Sequence, residues 1–118
     1  MLTFEPFTTI SVPFPYLERL ASKRRPALVG SRPRLASDHA LVLVLMITSA
    51  ANARLLDDIL IEDLKRGGLP KPSVVRPTKI ATVETTQARV IGEAEEAVAA
   101  RVLATLRSVL PHLGHCTG

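Results

Sequence analysis

The run Leu41-Val-Leu-Val-Leu-Met-Ile47 restricts the fold more than any other part of this 118-residue chain. A strand that is apolar at every position has to be covered on both faces, either at the centre of a sheet or at a subunit interface. The apolar stretch Ala40–Ile47 is eight residues long, which is too short to cross a bilayer as a helix. The sequence therefore predicts a doubly covered β-strand in the middle of the chain.

Other short segments with β-type residues flank this strand. Because proline does not donate to a strand ladder, Pro13 should stop one strand and Pro26 should open another. The segments are too short and too closely spaced for helical crossovers, which favours an antiparallel sheet or a small barrel. We expect further strands over Thr8–Val12, Ala27–Val29, Asp57–Asp63, Ser73–Val75 and Lys79–Val83, polar loops over Tyr16–Arg24 and Ser31–His39, and a turn over Gly67–Pro72.

A helix is expected at the end of the chain, over about residues 93–112. Apolar residues recur there at steps of three and four, and Pro111 limits the helix. Glu93, Glu95 and Glu96 would lie in its first turn, where acids suit the helix dipole. At this length the chain should form one domain over residues 1–118, with its β part over about 4–92. The fold class is mainly β with a C-terminal helix, α+β.

The positive charge of the chain is concentrated in one segment. Between Glu18 and Arg34 there are six basic residues and one acid, whereas the whole chain has a net charge of +4. Such a basic segment on an otherwise nearly neutral protein suggests an anionic partner, such as nucleic acid or an acidic peptide. A solvated loop that keeps the protein soluble is the alternative reading of the same charge.

The rarer residue types exclude several kinds of function. All four aromatic residues lie in the first sixteen positions, which disfavours a sheet on which successive bases stack. The single cysteine, Cys116, permits no internal disulfide, and no Cys/His cluster has metal-ligand spacing. We therefore expect no metal or other cofactor. The start of the chain does not resemble a secretory signal, so we expect a cytoplasmic protein.

Short motifs follow one another along the chain in a familiar order. They are Val12-Pro-Phe-Pro-Tyr16, Lys23-Arg-Arg-Pro-Ala-Leu-Val29, Ile47-Thr48-Ser49, Gly68-Leu69 through Pro72-Ser-Val-Val-Arg76, and Lys79-Ile-Ala-Thr-Val83, followed by the final helix. In this order the chain resembles the MazF/PemK family of type II toxin–antitoxin endoribonucleases, in particular its PemK-like branch. The likeness extends over about residues 4 to 113, and the order of the motifs makes it specific.

The resemblance implies a fold, an activity and two partners. The fold would be a small antiparallel SH3-like barrel of the CcdB/MazF type, assembled as a homodimer. The activity would be metal-independent cleavage of single-stranded RNA. One partner would be the single-stranded RNA. The other would be a cognate antitoxin whose flexible, often acidic segment covers the RNA groove. The family's catalytic arginine, which stands immediately before a proline, falls on Arg25, and its threonine at the end of the third strand falls on Thr48.

The chemistry of RNA cleavage suits these residue types. The guanidinium of Arg25 can hold two phosphate oxygens at once but is a poor proton donor, because its pKa is above about 12. We therefore expect Arg25 to stabilise charge and Thr48 to donate a hydrogen bond to a phosphate oxygen. Glu18 is the candidate carboxylate base. A catalytic histidine is a less favoured alternative, because His112 and His115 are far in sequence from the basic segment and His39 lies in a loop. The candidate RNA-binding residues are Lys23, Arg24, Ser49, Arg76 and Lys79.

Each of these residues also has a purely structural interpretation. An arginine before proline is often a surface residue, and a threonine at a strand end often satisfies a backbone group. Basic residues such as Arg76 and Lys79 at strand edges also limit edge-to-edge aggregation. The site is thus predicted from the order of the motifs and from no single residue.

The chain departs from the family pattern before its first strand. The family usually has Pro-Gly-Asp there, whereas this chain has Pro6-Phe7-Thr8. The substitution is expected to remove a tight turn and a carboxylate at the mouth of the site. It favours a competing hypothesis, a non-catalytic binder on the same barrel, either a degenerate toxin or a growth inhibitor that acts on a protein. A third hypothesis, a small structural domain, leaves the order of the motifs unexplained.

Overall fold

The computed structural model describes residues 5–13, 24–36, 39–52 and 56–109. These residues form a single antiparallel sheet of seven strands, followed by a C-terminal helix. Two short 3-10 turns, Ala50–Asn52 and Thr85–Gln87, interrupt the strands. The strands are β1 (Thr8–Pro13), β2 (Arg24–Val29), β3 (Arg34–Ala36), β4 (His39–Ser49), β5 (Ile59–Ile61), β6 (Ser73–Glu84) and β7 (Arg89–Glu93), and the helices are α1 (Leu64–Gly67) and α2 (Glu96–Val109).

The central position of β4 follows from its apolar sequence. The strand order is β5-β6-β4-β2-β1-β7, and β3 pairs with the first residues of β4. On β4, Val42, Val44 and Met46 point into one hydrophobic cluster, whereas Leu45 and Ile47 point into a second. This alternation is the period of two that a strand imposes on its side chains. The double coverage expected of this run is confirmed, except that Leu43 is 46% exposed.

The two clusters lie on opposite faces of a sheet that curls into a half-barrel. The first cluster joins β4 to Ile10 and Val12 of β1 and to Ala27 and Val29 of β2. The second contains residues from β4, β5 and β6 together with Val98 and Val102 of α2. The mainly β fold with a C-terminal helix is therefore confirmed. Among the described residues, no helix has the length and apolar character needed to cross a membrane.

A bulge in β6 accommodates Pro77, which has no amide hydrogen to donate to the neighbouring strand. Leu45 pairs with Ile80, but the next residue of β4, Met46, pairs with Arg76. Residues 77–79 are thus extra on β6, so that the missing amide hydrogen of Pro77 lies where no ladder bond is required. The two β segments predicted on either side of Pro77 form one twelve-residue strand.

The acids predicted for the first helical turn have three different positions. Glu93 ends β7, and α2 begins at Glu96. The carboxylate of Glu95 accepts hydrogen bonds from the backbone amides of Glu62 at 3.0 Å and Asp63 at 2.8 Å. It therefore ties the start of α2 to the segment between β5 and α1. The helix is described up to Val109, and the predicted end near residue 112 lies outside the described residues.

Three elements differ from the expected ones. β3 lies within the predicted loop Ser31–His39, and β7 occupies a segment for which no strand was predicted. The predicted strand Asp57–Asp63 is reduced to the three residues of β5, because Asp63 instead caps α1 by accepting the amide of Arg66 at 3.0 Å. These elements are short: β3 pairs with the next strand of the chain, β5 pairs with β6, and β7 pairs with the distant β1.

The tight turn before β1 is present, so the expectation that Pro6-Phe7-Thr8 removes it was wrong. The amide of Thr8 donates to the carbonyl of Glu5 at 3.1 Å. Phe7 has a φ of 73°, the left-handed conformation that glycine adopts without a steric penalty. Its amide donates to Val29 at 2.7 Å, and its carbonyl accepts from Ala94 at 2.8 Å. Tertiary bonds to β2 and to the start of α2 thus hold this turn in place of glycine.

Close backbone packing between α1 and β7 requires glycine. Gly68 has a φ of 68°, and a Cβ atom added to it would lie 2.0 Å from the carbonyl oxygen of Ile91. Gly92 faces the same contact from β7, where an added Cβ atom would lie 2.3 Å from the carbonyl oxygen of Arg66. The two glycines therefore allow α1 to pack directly on the last strand.

We predict that Gly68→Ala lowers the free energy of unfolding by more than about 2 kcal/mol, because it adds a steric clash to an unfavourable left-handed conformation. Gly30→Ala is the matched control, since an added Cβ atom there has its nearest contacts at 3.7 Å. The control should change stability by less than about 0.5 kcal/mol. Urea denaturation of both variants measures the difference, and equal stabilities would contradict the close packing.

Candidate functional site

β2 and β4 separate at the end of the sheet that carries Arg25 and Thr48. Their pairing runs from Val29–Val44 to Ala27–Met46, although β2 starts at Arg24 and β4 continues to Ser49. The separated ends open a cleft of about 270 Å3, which we call the β2–β4 cleft. It is lined by Arg24, Arg25, Pro26, Ile47, Thr48, Ser49, Asn52, Leu69, Pro70, Lys71 and Ser73.

Strand alternation brings Arg25 and Thr48 to the same face. Arg25 shares the face of Ala27, and Thr48 shares the face of Met46, which is the partner of Ala27. If the register is continued by two residues, Arg25 lies opposite Thr48. Both residues are half-buried, and the Nε atom of Arg25 is buried. The two residues expected to be catalytic are therefore brought together at the separated strand ends.

A second, smaller pocket adjoins the cleft at the β6 bulge. This bulge pocket is lined by Arg25, Met46, Ile47, Thr48, Arg76 and Lys79. Because Arg25 and Thr48 line both cavities, they stand between them. The bulge places Arg76 opposite Met46 and puts Lys79 next to the same pocket. Local irregularity in β6 thus brings two more of the predicted basic residues to the site.

Arg76 is held in a bidentate ion pair beneath this pocket. Its Nε donates to one carboxylate oxygen of Asp58 at 3.0 Å and its Nη2 to the other at 2.9 Å. Nη2 also donates to the carbonyl of Asn52 at 3.1 Å. The side chain of Asp58 is only 4% exposed and that of Arg76 19%. The hydrogen bonds to Asp58 raise the pKa of Arg76 above its usual value, against the opposing effect of desolvation.

Arg24 has a different environment from its neighbour Arg25. Its Nε donates to the hydroxyl of Ser11 at 2.9 Å, and its Nη2 donates to the carbonyls of Ser11 and Gln87. These bonds hold the guanidinium against β1 and the turn before β7. Arg24 lines the β2–β4 cleft but lies on the opposite face of β2 from Arg25.

The remaining predicted residues have varied positions. Ser49 lines the cleft, while its hydroxyl accepts the amide of Ala51 at 3.2 Å and so caps the following 3-10 turn. Lys23 and Glu18 lie outside the described residues. The sequence did not single out Asn52, Lys71 or Asp58. In the sequence they were marked only as polar residues of predicted loops or strands. They come to the site of Arg25 only in the folded chain.

The charge of the site favours an anionic ligand. Within the described part of the chain, the residues that line the cleft and the bulge pocket include Arg24, Arg25, Lys71, Arg76 and Lys79 and no acid. Asp58 offsets the charge of Arg76, and the described linings of the two cavities hold four further cations. No group of three potential metal ligands occurs among the described residues. Such a site can hold a phosphate through guanidinium groups and a hydroxyl.

The chain is similar to known proteins in both sequence and fold. A family model described as "PemK-like, MazF-like toxin of type II toxin-antitoxin system" matches residues 7–110. No curated protein matches the chain. The described site lies entirely within the matched residues.

Solved structures share the fold at low sequence identity. MazF (Form-I) from Deinococcus radiodurans superposes with a TM-score of 0.69 at 20% identity, covering 94% of this chain and 99% of that one. A chain of MazE-MazF (Form-II) from the same organism gives 0.67 at 19% identity, with coverage of 94% and 98%. An endoribonuclease in complex with its cognate antitoxin from mycobacterial species gives 0.64 at 14% identity, with coverage of 93% and 96%. The expected MazF-type fold is thereby confirmed.

We predict that Arg76→Ala lowers the free energy of unfolding by about 3–5 kcal/mol, because it leaves the carboxylate of Asp58 buried without its cation. Arg66→Ala is the matched control. It also removes an arginine from an ion pair, with Glu93 at 3.3 Å, but there the side chains are 44% and 65% exposed. The control should cost less than about 1 kcal/mol.

Thermal and urea denaturation of the two variants test this contrast. The double variant Arg76→Met/Asp58→Leu should regain much of the lost stability, since it leaves no buried charge unpaired. Equal losses for Arg76→Ala and Arg66→Ala would show that the pair beneath the bulge pocket is not a buried one.

Proposed function

Because the chain belongs to the family of PemK-like, MazF-like toxins of type II toxin–antitoxin systems, we propose that it is an endoribonuclease that cleaves single-stranded RNA without a metal ion. The observation that carries the proposal is the meeting of Arg25 and Thr48 at the separated ends of β2 and β4. A half-buried guanidinium and a hydroxyl there face a positively charged cleft.

In the proposed reaction, the RNA supplies its own nucleophile. The 2′-hydroxyl oxygen attacks the adjacent phosphorus while its proton passes to a base. The bond from phosphorus to the 5′-oxygen then breaks, and that oxygen takes up a proton. The products are a 2′,3′-cyclic phosphate and a free 5′-hydroxyl. Since no atom is supplied by water in this step, the protein has to move two protons and stabilise the charge on the phosphorane.

Arg25 and Thr48 are suited to the charge rather than to the protons. Arg25 would hold the non-bridging phosphate oxygens, and its partial burial strengthens that interaction because the surroundings screen it less than water does. The hydroxyl of Thr48 would donate a hydrogen bond to the same group. Lys71 and Lys79, which are exposed at the edges of the two cavities, would bind neighbouring phosphates. Ser49 is a further candidate contact at the cleft.

The two remaining basic contacts differ in what they offer to RNA. The Nε and Nη2 atoms of Arg76 donate hydrogen bonds to Asp58 and Asn52. Its proposed contact with RNA is therefore secondary to its role in the ion pair. Lys23, which precedes Arg24 in the sequence, stays a predicted RNA-binding residue, as does Arg24 itself. The cationic cleft is the surface that an acidic antitoxin segment would cover, in competition with RNA.

Two further features of the proposed toxin concern its assembly and location. A homodimer is expected, and the exposure of Leu43 and Ile80 on neighbouring strands of the helix-covered face supports it. An antitoxin partner is supported by the solved complexes that share the fold. A cytoplasmic location, where RNA is translated, stays a prediction.

Arg25→Ala should lower the cleavage rate by about 10²- to 10³-fold, the usual effect of removing a preorganised group that stabilises developing negative charge. Thr48→Ala should also reduce it. Arg101→Ala, which removes an exposed arginine of α2 away from the cleft, is the matched control and should cleave at the wild-type rate. The measurement is the cleavage of a mixed-sequence single-stranded RNA in the presence of EDTA, with detection of cyclic-phosphate ends.

The same assay separates the competing functions. RNA cleavage that survives EDTA and is lost in Arg25→Ala supports the enzyme. Wild-type protein that binds RNA without cutting it would overturn the enzymatic proposal in favour of a non-catalytic binder. Equal loss in Arg25→Ala and Arg101→Ala would contradict the special position of Arg25.

Glu18 is proposed as the general base that takes the proton of the 2′-hydroxyl. Glu18→Gln keeps the size and polarity of the side chain but cannot accept a proton, so the cleavage rate should fall by about 10²-fold or more. Its pH–rate profile should also lose the acidic limb that a carboxylate base produces. Near-full activity of Glu18→Gln would exclude the assignment and leave the roles of Arg25 and Thr48 intact.

A further inference from the structure

A separate recess lies at the end of the sheet where β1, β2 and β7 meet. It has a volume of about 450 Å3 and is lined by Pro13, Arg24, Thr86, Gln87, Ala88 and Arg89. Pro13 and the buried Ala88 provide apolar surface, and the two arginines provide charge. We call it the β7 recess. The motifs that pointed to the catalytic residues do not include Arg89 or the 3-10 turn before it.

Arg24 is a preorganised cation at the boundary of this recess. Three of its five N–H groups, one on Nε and two on Nη2, are used in bonds to Ser11 and Gln87. Within the described ranges, both N–H groups of Nη1 remain available, and the oxygens that hold the guanidinium are all neutral. The positive charge of Arg24 is therefore not offset by these contacts. Fixing the group in advance also lowers the entropy cost of binding an anion.

The position of Arg24 connects the recess with the β2–β4 cleft. Arg24 lines both cavities, and it shares its face of β2 with Pro26, which also lines the cleft. Arg25 lies on the other face, next to Thr48. Because side chains on opposite faces of one strand point in opposite directions, Arg24 and Arg25 are not placed to bind the same phosphate from the same side. Arg24 is thus placed to contact a group adjacent to the one that Arg25 holds.

Arg89 supplies the second cation of the recess. It pairs with Ser11 across the β1–β7 ladder, so the same residue that fixes Arg24 also sets the position of Arg89. Its side chain is exposed. An unstacked nucleobase can lie against a guanidinium plane where aromatic side chains are scarce, and a phosphate can bind its edge. A recess with two arginines and an apolar floor fits a nucleotide better than it fits an isolated small anion.

We propose that the β7 recess is a second nucleotide subsite, which binds the nucleotide next to the one held in the β2–β4 cleft through Arg24 and Arg89. This inference rests on the proposed RNA substrate. A single strand would run from the cleft over Arg24 and into the recess, so that Arg89 contacts a phosphate that is not cleaved. The subsite would lengthen the stretch of RNA that the protein recognises.

The test measures the binding of a fluorescent nine-nucleotide mixed-sequence 2′-O-methyl RNA, which lacks the nucleophile and is not cut. Its affinity is determined by anisotropy over a range of salt concentrations. Arg89→Ala should weaken binding about three- to fivefold, as expected for one exposed charged group. The slope of log affinity against log salt should fall by about 0.7, because the variant neutralises one phosphate fewer on the single strand. Arg89→Lys should restore most of the slope.

Arg101→Ala controls for overall charge, since it removes the same charge from α2 and should leave the slope at the wild-type value. An unchanged slope in Arg89→Ala, or an equal fall in Arg101→Ala, overturns the subsite. So does a loss confined to the binding of an acidic peptide such as nonaglutamate, which would indicate a protein ligand instead. If only the subsite is wrong, the wild-type protein still cleaves RNA in EDTA and Arg25→Ala still does not. If the proposed function is wrong, the wild-type protein does not cleave RNA at all.

Discussion

The burial of β4 on both faces fixes the site, because it fixes the register of every strand beside it. A slip of one residue would exchange the side chains that β4 sends to the two clusters and bring the hydroxyl of Thr48 to the place of Ile47 in the second. With the register fixed, Thr48 has to share the face of Met46, and Ser49 has to point to the opposite side. The same pairing sets the face of Arg25 on β2. The positions of the catalytic candidates are therefore a consequence of apolar packing several residues away.

The cations of the site fall into two groups with different energetics. Arg76 belongs with Asp58, and this buried pair ties the segment before β5 to the bulge of β6. A pair of this kind adds little net stability over apolar side chains but is costly to break, because each partner alone would be a buried charge. Arg24, by contrast, is held by neutral oxygens and keeps its charge available. Counting basic residues in the sequence cannot separate these two cases.

The sequence predicted the elements whose signal is local. The apolar run of β4 and the periodicity of α2 each identify an element from consecutive residues, whereas β2 begins at Arg24, two residues before Pro26, which was expected to open it. β7 was missed. Its Gly92 weakens the local strand pattern, but in the fold it permits contact with Arg66 at a distance that no side chain would allow. β3 was missed because three residues carry too little pattern. β7 depends on β1, which is far away in the sequence, whereas β3 pairs with β4, which begins only three residues later.

The candidate site could be predicted only where a motif carried it. Arg25 and Thr48 followed from the family resemblance, since nothing in either residue alone separates it from a surface arginine or a strand-end hydroxyl. Asp58 could not be found from the sequence, because it meets Arg76 eighteen positions later, across a strand pair. The same holds for Arg89, whose relation to Arg24 depends on β1 lying between their strands.

The turn at Phe7 shows that the departure from the family pattern leaves the local fold intact, so that its effect is confined to the chemistry of the proposed reaction. A left-handed conformation at a residue other than glycine costs about 1–3 kcal/mol, which the surrounding structure has to offset. Here the offset comes from the bonds to Val29 and Ala94 and from the packing of the Phe7 side chain on the second cluster. The turn is thereby retained, but the carboxylate that follows glycine in the family is replaced by Thr8. In the proposed reaction, proton transfer would then depend on a group other than that carboxylate, whereas the proposed charge stabilisation by Arg25 would be unaffected. The departure thus bears on the identity of the proposed base and leaves the proposed phosphate-binding role of the cleft in place.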